Sequence, residues 1–336
     1  MTANKKHVTI RDVAERAGVS VSTASNAINN KGYVSESTKQ VVLKAVEELN
    51  YRPSAIARSL KKQQSGIIGF FAYDMSGPVH SEIVSGVVRK AEEHGYETVV
   101  CNSHSRKDRI LSNLLSSRLF DACIVMSPDL EDDFLLDLAK NLFPVVALDR
   151  DIEDANIGCV LMDNATSGHD IARLFSERGM KRIAFIGPNP DSRSFHDVED
   201  RTRGFLNGVK QYQLDLPAER YRFGWFTMDS GYQCMTDLLK LDVLPEALFA
   251  ANDEMAQGAI RAIIEHGLRV PDDIGVIGFD DIAMSSFVTP SLSTVRRPSF
   301  SLGSTAVELL LSIMRYRQYP QRLILPTEIV LRESFR

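Results

Sequence analysis

The polar residues at the ends of several short apolar runs are the first candidates for a binding site. Asn252 and Asp253 follow "ALFAA", Asp280 and Asp281 follow "IGVIGF", and Asp163 closes "IGCVLMD". Carboxylates accept hydrogen bonds from hydroxyl groups, and an amide can also donate them. These residue types favour a ligand rich in hydroxyl groups. Each of these residues, taken singly, is explained equally well as a helix cap or as a member of an ion pair. Asp163 and Asp253 could cap the helices that follow them.

Two further side chains extend this set. Arg201 opens the predicted helix of "RTRGF", and Phe226 ends the apolar run that contains the only tryptophan. A guanidinium donates to a polar ligand and orients it, and an aromatic face packs on C–H surfaces. No phosphate-binding loop, nucleophile elbow, zinc-protease motif or dinucleotide fingerprint occurs. The seven histidines have no metal-ligand spacing. We therefore expect no catalysis, no cofactor and no metal site.

Alternating strands and helices must position these residues. Near-continuous apolar runs predict strands at 67–73, 97–103, 122–127, 145–148, 182–187, 221–226, 247–252 and 274–281. Amphipathic stretches around 81–94 and 108–117 separate strands of the first four. This alternation predicts parallel sheets covered on both faces. Two such doubly wound lobes would place a ligand cleft between them, outside the carboxyl ends of the strands.

The first 63 residues differ in charge from the rest of the chain. They hold 11 Lys and Arg against 5 Asp and Glu, whereas the remainder holds 28 basic and 39 acidic residues. A basic N-terminal part on an acidic body indicates that only this part meets a polyanion. A basic tail that serves only solubility is the alternative.

The basic part predicts a helix-turn-helix. Thr9 and Asp12 fit a capping box, Gly18 supplies the turn, and Ser20 caps a second helix. A third helix starts near Ser35. Helical spacing predicts a set of residues that face the interior of this unit. They are Val13, Ala14, Ala17, Val19, Ala24, Ala27, Ile28, Val41, Val42, Ala45, Val46 and Leu49. In such a motif the second helix enters the major groove of DNA with its N-terminal residues leading.

The outward residues of the second helix are therefore candidate DNA contacts. They are Val21, Ser22, Thr23, Ser25 and Asn26, with Ser20 at the cap. Asn26 suits adenine and Val21 suits a thymine methyl group, whereas the hydroxyls suit phosphates or single base contacts. Helix solubility is an equally good explanation of Ser22 and Thr23. No Arg lies on this face, so bidentate reading of guanine is not expected from it.

The stretches "TIRDVAERAGVSVSTASNAIN" and "YVSESTKQVVLKAVEELNYRPSAIARSL" resemble the DNA-binding head of the lactose/galactose repressor family. The resemblance implies that Val21, Ser22 and Asn26 occupy the positions that choose the operator sequence. Ala24 departs mildly from the family, which usually has Val there.

The segment "YRPSAIARSLKKQQSG" (51–66) predicts a short hinge helix after Pro53, and two turns alone in water are marginal. The resemblance implies that paired hinge helices lie in the minor groove, with Leu60 as an apolar wedge. The hinge residues expected to meet DNA are Ser54, Ala57, Arg58, Leu60 and Lys61. A plain tether is the alternative.

The resemblance continues through "FAANDEMAQGA", "GLRVPDDIGVIGFDD" and "TPSLSTVRRPSFSLG", which are similar to the effector-binding core shared with periplasmic sugar-binding proteins. It implies that Arg201, Asn252 and Asp280 contact ligand hydroxyls and that Phe226 stacks on the ligand. The family often has aromatic residues at Val79 and His80. His80 at this position favours a smaller or acidic ligand.

The expected fold class is α plus α/β, with three parts. They are a helix-turn-helix head (1–50), a hinge helix and linker (51–65), and a core (66–336) of two doubly wound α/β lobes of the periplasmic sugar-binding type. The N-lobe is expected at about 66–163 plus 296–322, and the C-lobe at about 164–295 plus 323–336.

These features predict a transcriptional regulator, with repression favoured, that binds a palindromic operator as a homodimer and responds to a sugar or sugar derivative. A purine-type effector is the alternative on the same scaffold. A sugar-binding protein without a regulatory role would lack the basic head, and a structural DNA-binding protein would not need the body. Cysteine spacing predicts buried thiols. No signal peptide or long apolar run is present, which places the expected protein in the cytoplasm and off the membrane.

Overall fold

The computed structural model describes residues 8–51, 64–73, 75, 77–103, 113, 115, 119–154, 156–190, 196–316 and 321–336. The chain forms two compact units, Met1–Ser65 and Gly66–Arg336. The hinge residues Ser54, Ala57, Arg58, Leu60 and Lys61 lie outside the described residues. The amphipathic stretch predicted at 108–117 is also almost wholly outside them.

The first unit contains three helices, α1 (Ile10–Ala17), α2 (Val21–Ile28) and α3 (Glu36–Glu48). The Thr9 backbone N–H donates to the Asp12 carboxylate at 2.7 Å, as the capping box predicts. Gly18 ends α1 with φ 66°, a left-handed conformation that glycine adopts without strain. Ser20 Oγ accepts from the Thr23 backbone N–H at 3.1 Å and so caps α2. The predicted helix-turn-helix is confirmed.

A small apolar core holds the three helices together. Its fully buried members are Val13, Ala14, Ala24, Ala27, Val42 and Ala45. Ala17, Val19, Ile28, Val46 and Leu49 pack around them and are partly buried. The prediction that Val41 also faces inward is wrong, because its side chain is 50% exposed. Adjacent helical residues differ by about 100° in direction, and on α3 it is Val42 that points into the core.

The first sheet of the second unit is parallel and has the strand order β11-β5-β4-β3-β1-β2. Its strands are β1 (Ile67–Ala72), β2 (Glu97–Asn102), β3 (Ala122–Met126), β4 (Val145–Leu148), β5 (Gly158–Met162) and β11 (Arg322–Leu325). The helices α4 (Pro78–Glu93), α5 (Asp132–Lys140) and α10 (Ser299–Tyr316) accompany it. Phe70 and Phe71 enter separate buried clusters, which explains why β1 is apolar throughout.

The second sheet is also parallel, with the order β7-β6-β8-β9. Its strands are β6 (Ile183–Pro188), β7 (Tyr221–Gly224), β8 (Ala247–Ala250) and β9 (Gly275–Ile277). Its helices are α6 (Asn164–Glu177), α7 (His196–Gln211), α8 (Met228–Leu238) and α9 (Asp253–Glu265). A short antiparallel ladder pairs β10 (Thr294–Arg296) with β12 (Glu328–Val330). The predicted fold class, a helical head with two α/β lobes, is confirmed.

One boundary of the sequence-based prediction can be compared with the structure, and two details need correction. The N-lobe was expected to end at about residue 322, and β11 pairs in parallel with β5 as far as Leu325. The chain therefore leaves this lobe beyond Leu325. Arg201 does not open a helix, because α7 begins five residues earlier at His196. Phe226 lies beyond the end of β7 at Gly224, since its φ of 61° is incompatible with a strand.

Two other expectations concern the chain as a whole. All four cysteines are buried, as their spacing predicted. Among the described residues, no helix combines the length and the apolar character that a membrane span requires.

The contact between α6 and α7 depends on glycine. A Cβ atom on Gly204 would lie 2.0 Å from the Ala165 carbonyl oxygen, and one on Gly168 would lie 2.2 Å from that of Arg201. Neither position leaves room for a methyl group against backbone. The close approach of the two helices therefore sets where Arg201 lies.

We expect Gly204→Ala to destabilise the chain by roughly 1–3 kcal/mol through overpacking. In an uncrowded helix the same change stabilises by about 1 kcal/mol. Asn207→Ala, at an exposed position of the same helix, is the control and should be neutral or slightly stabilising. Urea unfolding followed by the fluorescence of Trp225 measures both changes. A Gly204→Ala chain as stable as the control variant would contradict this packing.

Candidate DNA-binding surface and effector site

The N-terminal half of α2 presents an exposed polar face. Val21 is 43% exposed, and Ser22 and Asn26 are also exposed. Thr23 and Ser25 are half-buried. Ala24 and Ala27, on the opposite side, are buried in the core. The structure thus brings the predicted contact residues onto one face, with Val21, Ser22 and Asn26 the most accessible.

The three hydroxyl groups at the start of α2 form a cluster. Ser20 Oγ lies 2.8 Å from both Ser22 Oγ and Thr23 Oγ1. Because Ser20 also caps the helix, this contact fixes the orientation of the neighbouring hydroxyls. They lie at a helix N-terminus, where the helix dipole favours an anion such as a DNA phosphate.

The turn after α2 lies beside Asn26. The Lys31 backbone N–H donates to the Asn26 carbonyl oxygen at 3.0 Å. A Cβ atom on Gly32 would lie 3.5 Å from Asn26 Nδ2, so the side chain runs along this turn. Tyr33 follows and is 99% exposed. Sequence reasoning did not single out this tyrosine, because a turn residue carries no helical periodicity.

The second candidate site lies at the carboxyl ends of the strands of the second sheet. Asn252 is the N-cap of α9: its Oδ1 accepts from the Met255 backbone N–H at 3.0 Å. Its Nδ2 donates to the Phe226 carbonyl oxygen at 3.0 Å. Asn252 therefore joins the end of β8 to the segment after β7. The predicted pair Asn252 and Phe226 is adjacent in space.

Arg201 is buried and reaches the same strand ends from α7. Its Nη1 donates to the Ala251 carbonyl oxygen, and its Nη2 donates to Asn164 Oδ1 at 3.2 Å. Its Cζ lies 3.3 Å from the centre of the Phe279 ring. The guanidinium therefore touches the residue before Asn252 and the residue before Asp280. This contact brings Arg201, Asn252 and Asp280 into one cluster.

Asp280 and Asp281 form a sharp turn with positive φ at both residues, 120° and 56°. The Asp280 backbone N–H donates to the Val295 carbonyl oxygen at 2.9 Å. The Asp281 carboxylate accepts from Arg332 at 2.6 Å and from Arg296 at 2.8 Å. The two adjacent carboxylates thus have different surroundings, and Asp281 belongs to a structural ion-pair network.

Asp163 serves as a helix cap. Its Oδ1 accepts from the Thr166 backbone N–H at 3.1 Å at the start of α6. This geometry matches the cap that was the alternative explanation of this residue. A ligand-binding role for Asp163 stays a prediction.

His80 belongs to the first lobe, in the first turn of α4. Glu82, two residues further on, has its pKa raised by burial and by the charge of Asp281. This charge effect concerns Glu82 and not His80, because residues two apart on a helix point in different directions. A role for His80 in effector binding stays a prediction.

Sequence reasoning missed a buried ion pair next to the point where the chain crosses between the lobes. Arg297 follows β10 and its guanidinium donates to the carboxylate of Asp149, which follows β4. The Arg297 backbone N–H also donates to the Asp280 carbonyl oxygen at 3.2 Å. The strand-end rule could have found Asp149, because "VALD" ends an apolar run. Nothing in the local sequence marked Arg297.

Sequence reasoning also passed over the ends of β2 and β3. Ser103 Oγ lies 2.6 Å from Ser127 Oγ, and both are buried. Asp129 Oδ2 accepts from Ser103 Oγ at 3.2 Å. These groups lie at the carboxyl edge of the first sheet, where ligands of α/β folds bind. Among the described residues no cluster of His, Cys, Asp or Glu is arranged to hold a metal ion.

Asp253 is fully buried and has a perturbed pKa. Burial and the charge of Asp280 raise its pKa from 3.8 to about 8, against hydrogen bonds from Thr294, Ser285 and the Ile282 N–H that lower it. Sequence reasoning noted Asp253 only as an acid after a strand and as a possible cap. The cap of α9 is Asn252 instead, and Asp253 points away from the helix towards the turn after β9.

Two segments of the chain match known families. Residues 9–54 match the lacI family of bacterial regulatory proteins, and residues 172–335 match a periplasmic binding protein-like domain. The probable HTH-type transcriptional repressor ExuR of Bacillus subtilis (strain 168) is 36% identical over 334 residues, 98% of each chain. The HTH-type transcriptional repressor PurR of Proteus mirabilis (strain HI4320) is 37% identical over 332 residues, 97% of this chain and 96% of that protein.

Solved structures agree with this assignment. The Lac repressor dimer bound to operator and the anti-inducer ONPF has a TM-score of 0.82 at 30% identity, over 98% of this chain and 99% of that one. A complex of the transcriptional regulator CelR with cellobiose has a TM-score of 0.71 at 27% identity, over 97% and 99%. The chain belongs to the lacI family of bacterial regulatory proteins, and it is a DNA-binding transcriptional regulator. The predicted family is confirmed.

The raised pKa of Asp253 predicts a pH-dependent stability. Between about pH 4 and 8 the folded chain holds this proton more tightly than the unfolded chain, so the free energy of unfolding falls as pH rises through that window. One such group contributes a slope of at most about 1.4 kcal/mol per pH unit. Asp280 supplies the charge, while Ser285, Thr294 and the Ile282 N–H supply the facing dipoles.

Asp253→Asn should therefore flatten the pH dependence of urea unfolding, measured by Trp225 fluorescence across that window. Asp229→Asn is the matched control, because Asp229 is an exposed acid in the first turn of α8. The control should keep the slope of the unmodified chain. Equal slopes in Asp253→Asn and in the unmodified chain would contradict the assignment.

Proposed function

We propose that this regulator is a repressor that binds a palindromic operator as a homodimer and is controlled by a small effector bound between its two lobes. The observation that carries the proposal is the cluster of Arg201, Asn252, Phe226 and Asp280 at the strand ends of the second lobe. A separately folded unit carries the exposed face of α2. DNA contact and ligand contact thus fall on different parts of one chain. The proposal contains no catalytic step and places the protein in the cytoplasm with its DNA.

The DNA contact follows from the geometry of α2. Its capped N-terminus favours phosphate, and Asn26 is exposed next to it, with an amide that suits the donor and acceptor pattern of adenine. Val21 supplies an apolar contact for a thymine methyl group. Ser20, Ser22, Thr23 and Ser25 complete the proposed surface. The hinge contacts of Ser54, Ala57, Arg58, Leu60 and Lys61 remain predictions.

A homodimer follows from how such a helix reads DNA. One α2 covers one half-site, so two copies related by a two-fold axis read a palindrome. The similar Lac repressor structure is a dimer bound to operator. This likeness supports the same arrangement for the present chain.

The chemistry of the second lobe supports a hydroxyl-rich effector. Asp280 accepts from hydroxyls, Arg201 and Asn252 donate, and Phe226 offers an aromatic face. Asp163 and His80 complete the proposed contact set. Two similar regulators have sugars in their structures: CelR with cellobiose and a LacI family regulator from Enterococcus faecium with ribose. We therefore propose a sugar or sugar derivative, and keep a purine-type effector as the alternative that the test must include.

The effector acts only if it binds one of two states more tightly. The test is to footprint the chain on its own upstream DNA while neutral sugars, sugar acids, sugar phosphates and purines are screened. A change in occupancy with one class identifies the effector and its direction of action. Equal affinity for neutral and acidic forms of the best sugar would exclude the acidic ligand that His80 favours.

Asn26→Ala should cost about 1–3 kcal/mol at one operator base pair and relax the preference there, because a bidentate base contact is lost. Selection of binding sites from a random DNA pool measures this preference. Gln40→Ala removes an exposed amide from α3 and is the matched control. An unchanged base preference in Asn26→Ala would exclude Asn26 as a reading residue.

Asp280→Asn should remove most of the effector response while operator affinity is kept. The amide loses the charge that strengthens acceptance from ligand hydroxyls, and Asn tolerates the positive φ at this position better than Ala does. Fluorescence anisotropy of labelled operator, with and without the effector class found above, measures both quantities. Loss of operator binding in the ligand-free variant would rule out this role for Asp280. Asp272→Asn, an exposed acid, should leave both quantities unchanged.

A further inference from the structure

A buried carboxylate connects the start of α9 to the turn that carries Asp280. Asp253 Oδ2 accepts from the Ile282 backbone N–H at 2.9 Å and from Ser285 Oγ at 2.7 Å. Asp253 Oδ1 accepts from Thr294 Oγ1 at 2.5 Å. All three donors lie outside α9, so the carboxylate does not serve as a cap of its own helix. It joins α9 to the turn and to β10.

The surroundings of Asp253 include residues that come both before and after Asp280 in the chain. Thr294 Oγ1, which donates to Asp253, also accepts from the Asp281 backbone N–H at 3.3 Å. On the other side, a Cβ atom on Gly278 would lie 2.3 Å from Asp253 Oδ1. Glycine at 278 thus leaves the room that the carboxylate occupies. Asp253 therefore packs against the backbone just before Asp280 and is hydrogen-bonded to the backbone just after it.

This turn requires external restraint. Residues with side chains rarely adopt φ of 120° or 56°, and such conformations persist where surrounding contacts determine them. The Asp280 backbone is bonded to Val295 and Arg297 on the β10 side. The contacts of Asp253 restrain the turn from the α9 side. Without them, the turn would lose its restraint from the α9 side.

Asp253 also stands next to a second proposed contact residue. Asn252 precedes it and is held by its bonds to Met255 and Phe226. The start of α9 therefore carries Asn252 directly and holds Asp280 through the Asp253 carboxylate. Hydrogen bonds from the turn and from β10 converge on this one buried side chain, so it restrains both segments against α9.

We propose that Asp253 is a positioning residue of the effector site, which holds Asp280 and Asn252 in one orientation for the same ligand without touching that ligand itself. The proposal rests on the function proposed above, because it assigns Asp280 and Asn252 to effector binding. It predicts that weakening the Asp253 contacts lowers effector affinity through the geometry of Asp280. The affinity for the operator should stay unchanged, because the proposed DNA-binding surface lies on the other unit.

The test uses the full chain with Asp253→Asn and Thr294→Val. The first variant keeps the shape of the side chain and one acceptor oxygen. The second removes both hydrogen bonds of Thr294 Oγ1, the one donated to Asp253 and the one accepted from the Asp281 N–H, while keeping a branched side chain. Asp229→Asn is the matched control. Amide hydrogen exchange of residues 279–285 is measured without ligand, with β6 as the internal reference. Calorimetry then measures the Kd for ribose, cellobiose and hypoxanthine, and anisotropy measures operator affinity.

We expect exchange in residues 279–285 to rise by about tenfold in Asp253→Asn and by less in Thr294→Val, with β6 and the control unchanged. The Kd for whichever probe binds the unmodified chain should rise by about tenfold, with the same operator affinity. Unchanged exchange in both variants, or an unchanged Kd in the presence of faster exchange, overturns the proposal. If Asp253→Asn does not fold, Thr294→Val decides by the same criteria.

The two proposals fail in different ways. If none of the three probes binds the unmodified chain, these three compounds are excluded as effectors. The exchange measurement alone then decides whether Asp253 restrains the Asp280 turn. If a probe binds with the same Kd in all variants, the effector class stands and the role of Asp253 is excluded. A purely structural role would lower operator and probe affinity together.

Discussion

The burial of one guanidinium organises the second lobe. Arg201 is among the largest fully buried side chains of the described residues, and a buried charge is tolerated only when hydrogen-bond acceptors surround it. The Ala251 carbonyl oxygen and Asn164 Oδ1 provide acceptors, and the Phe279 ring provides an aromatic face. These partners come from the start of α6 and from the ends of β8 and β9. Satisfying Arg201 therefore fixes the relative positions of the elements that hold Asn252 and Asp280.

A second constraint comes from the carboxylates on the same edge. Asp253 and Asp280 lie close enough for the charge of one to raise the pKa of the other. Asp281, by contrast, is neutralised by Arg296 and Arg332. The three neighbouring acids Asp253, Asp280 and Asp281 therefore lie in different electrostatic surroundings. Asp280 is a hydrogen-bond acceptor that lies beside a second acid, Asp253. A ligand whose hydroxyl groups donate to Asp280 would add hydrogen bonds at this position.

The sequence predicted those features that depend on local periodicity and capping. The caps at Thr9 and Ser20, the left-handed Gly18 and most inward residues of the head follow from helix geometry, and the structure has them all. The alternation of apolar runs predicted two parallel sheets because their central strands are covered on two faces. The edge strands β2, β7 and β11 are partly exposed. The error at Val41 arose because two adjacent apolar residues cannot be distinguished by spacing alone.

The site was less predictable because its contacts join distant parts of the chain. The strand-end rule found Asn252 and Asp280, and the structure places Arg201 in contact with the residue before each of them. The same rule offered Asp163, for which the structure shows a cap. It could not find Arg297, whose partner Asp149 is 148 residues away. Asp253 was noticed as an acid after a strand, but its role depends on donors from residues 282, 285 and 294.

The ion pair of Arg297 and Asp149 links these observations to the regulation of such a protein. Asp149 belongs to the first lobe, while the Arg297 backbone is bonded to that of Asp280. A desolvated pair of charges is sensitive to geometry, because separating the partners leaves each charge buried without its counter-ion. By the lobe boundaries given above, both partners belong to the first lobe, so movement of one lobe against the other acts on the backbone bond between Arg297 and Asp280. Under the proposed function, a ligand that engages Asp280 would act on a residue one hydrogen bond from this ion pair, close to where the chain crosses between the lobes.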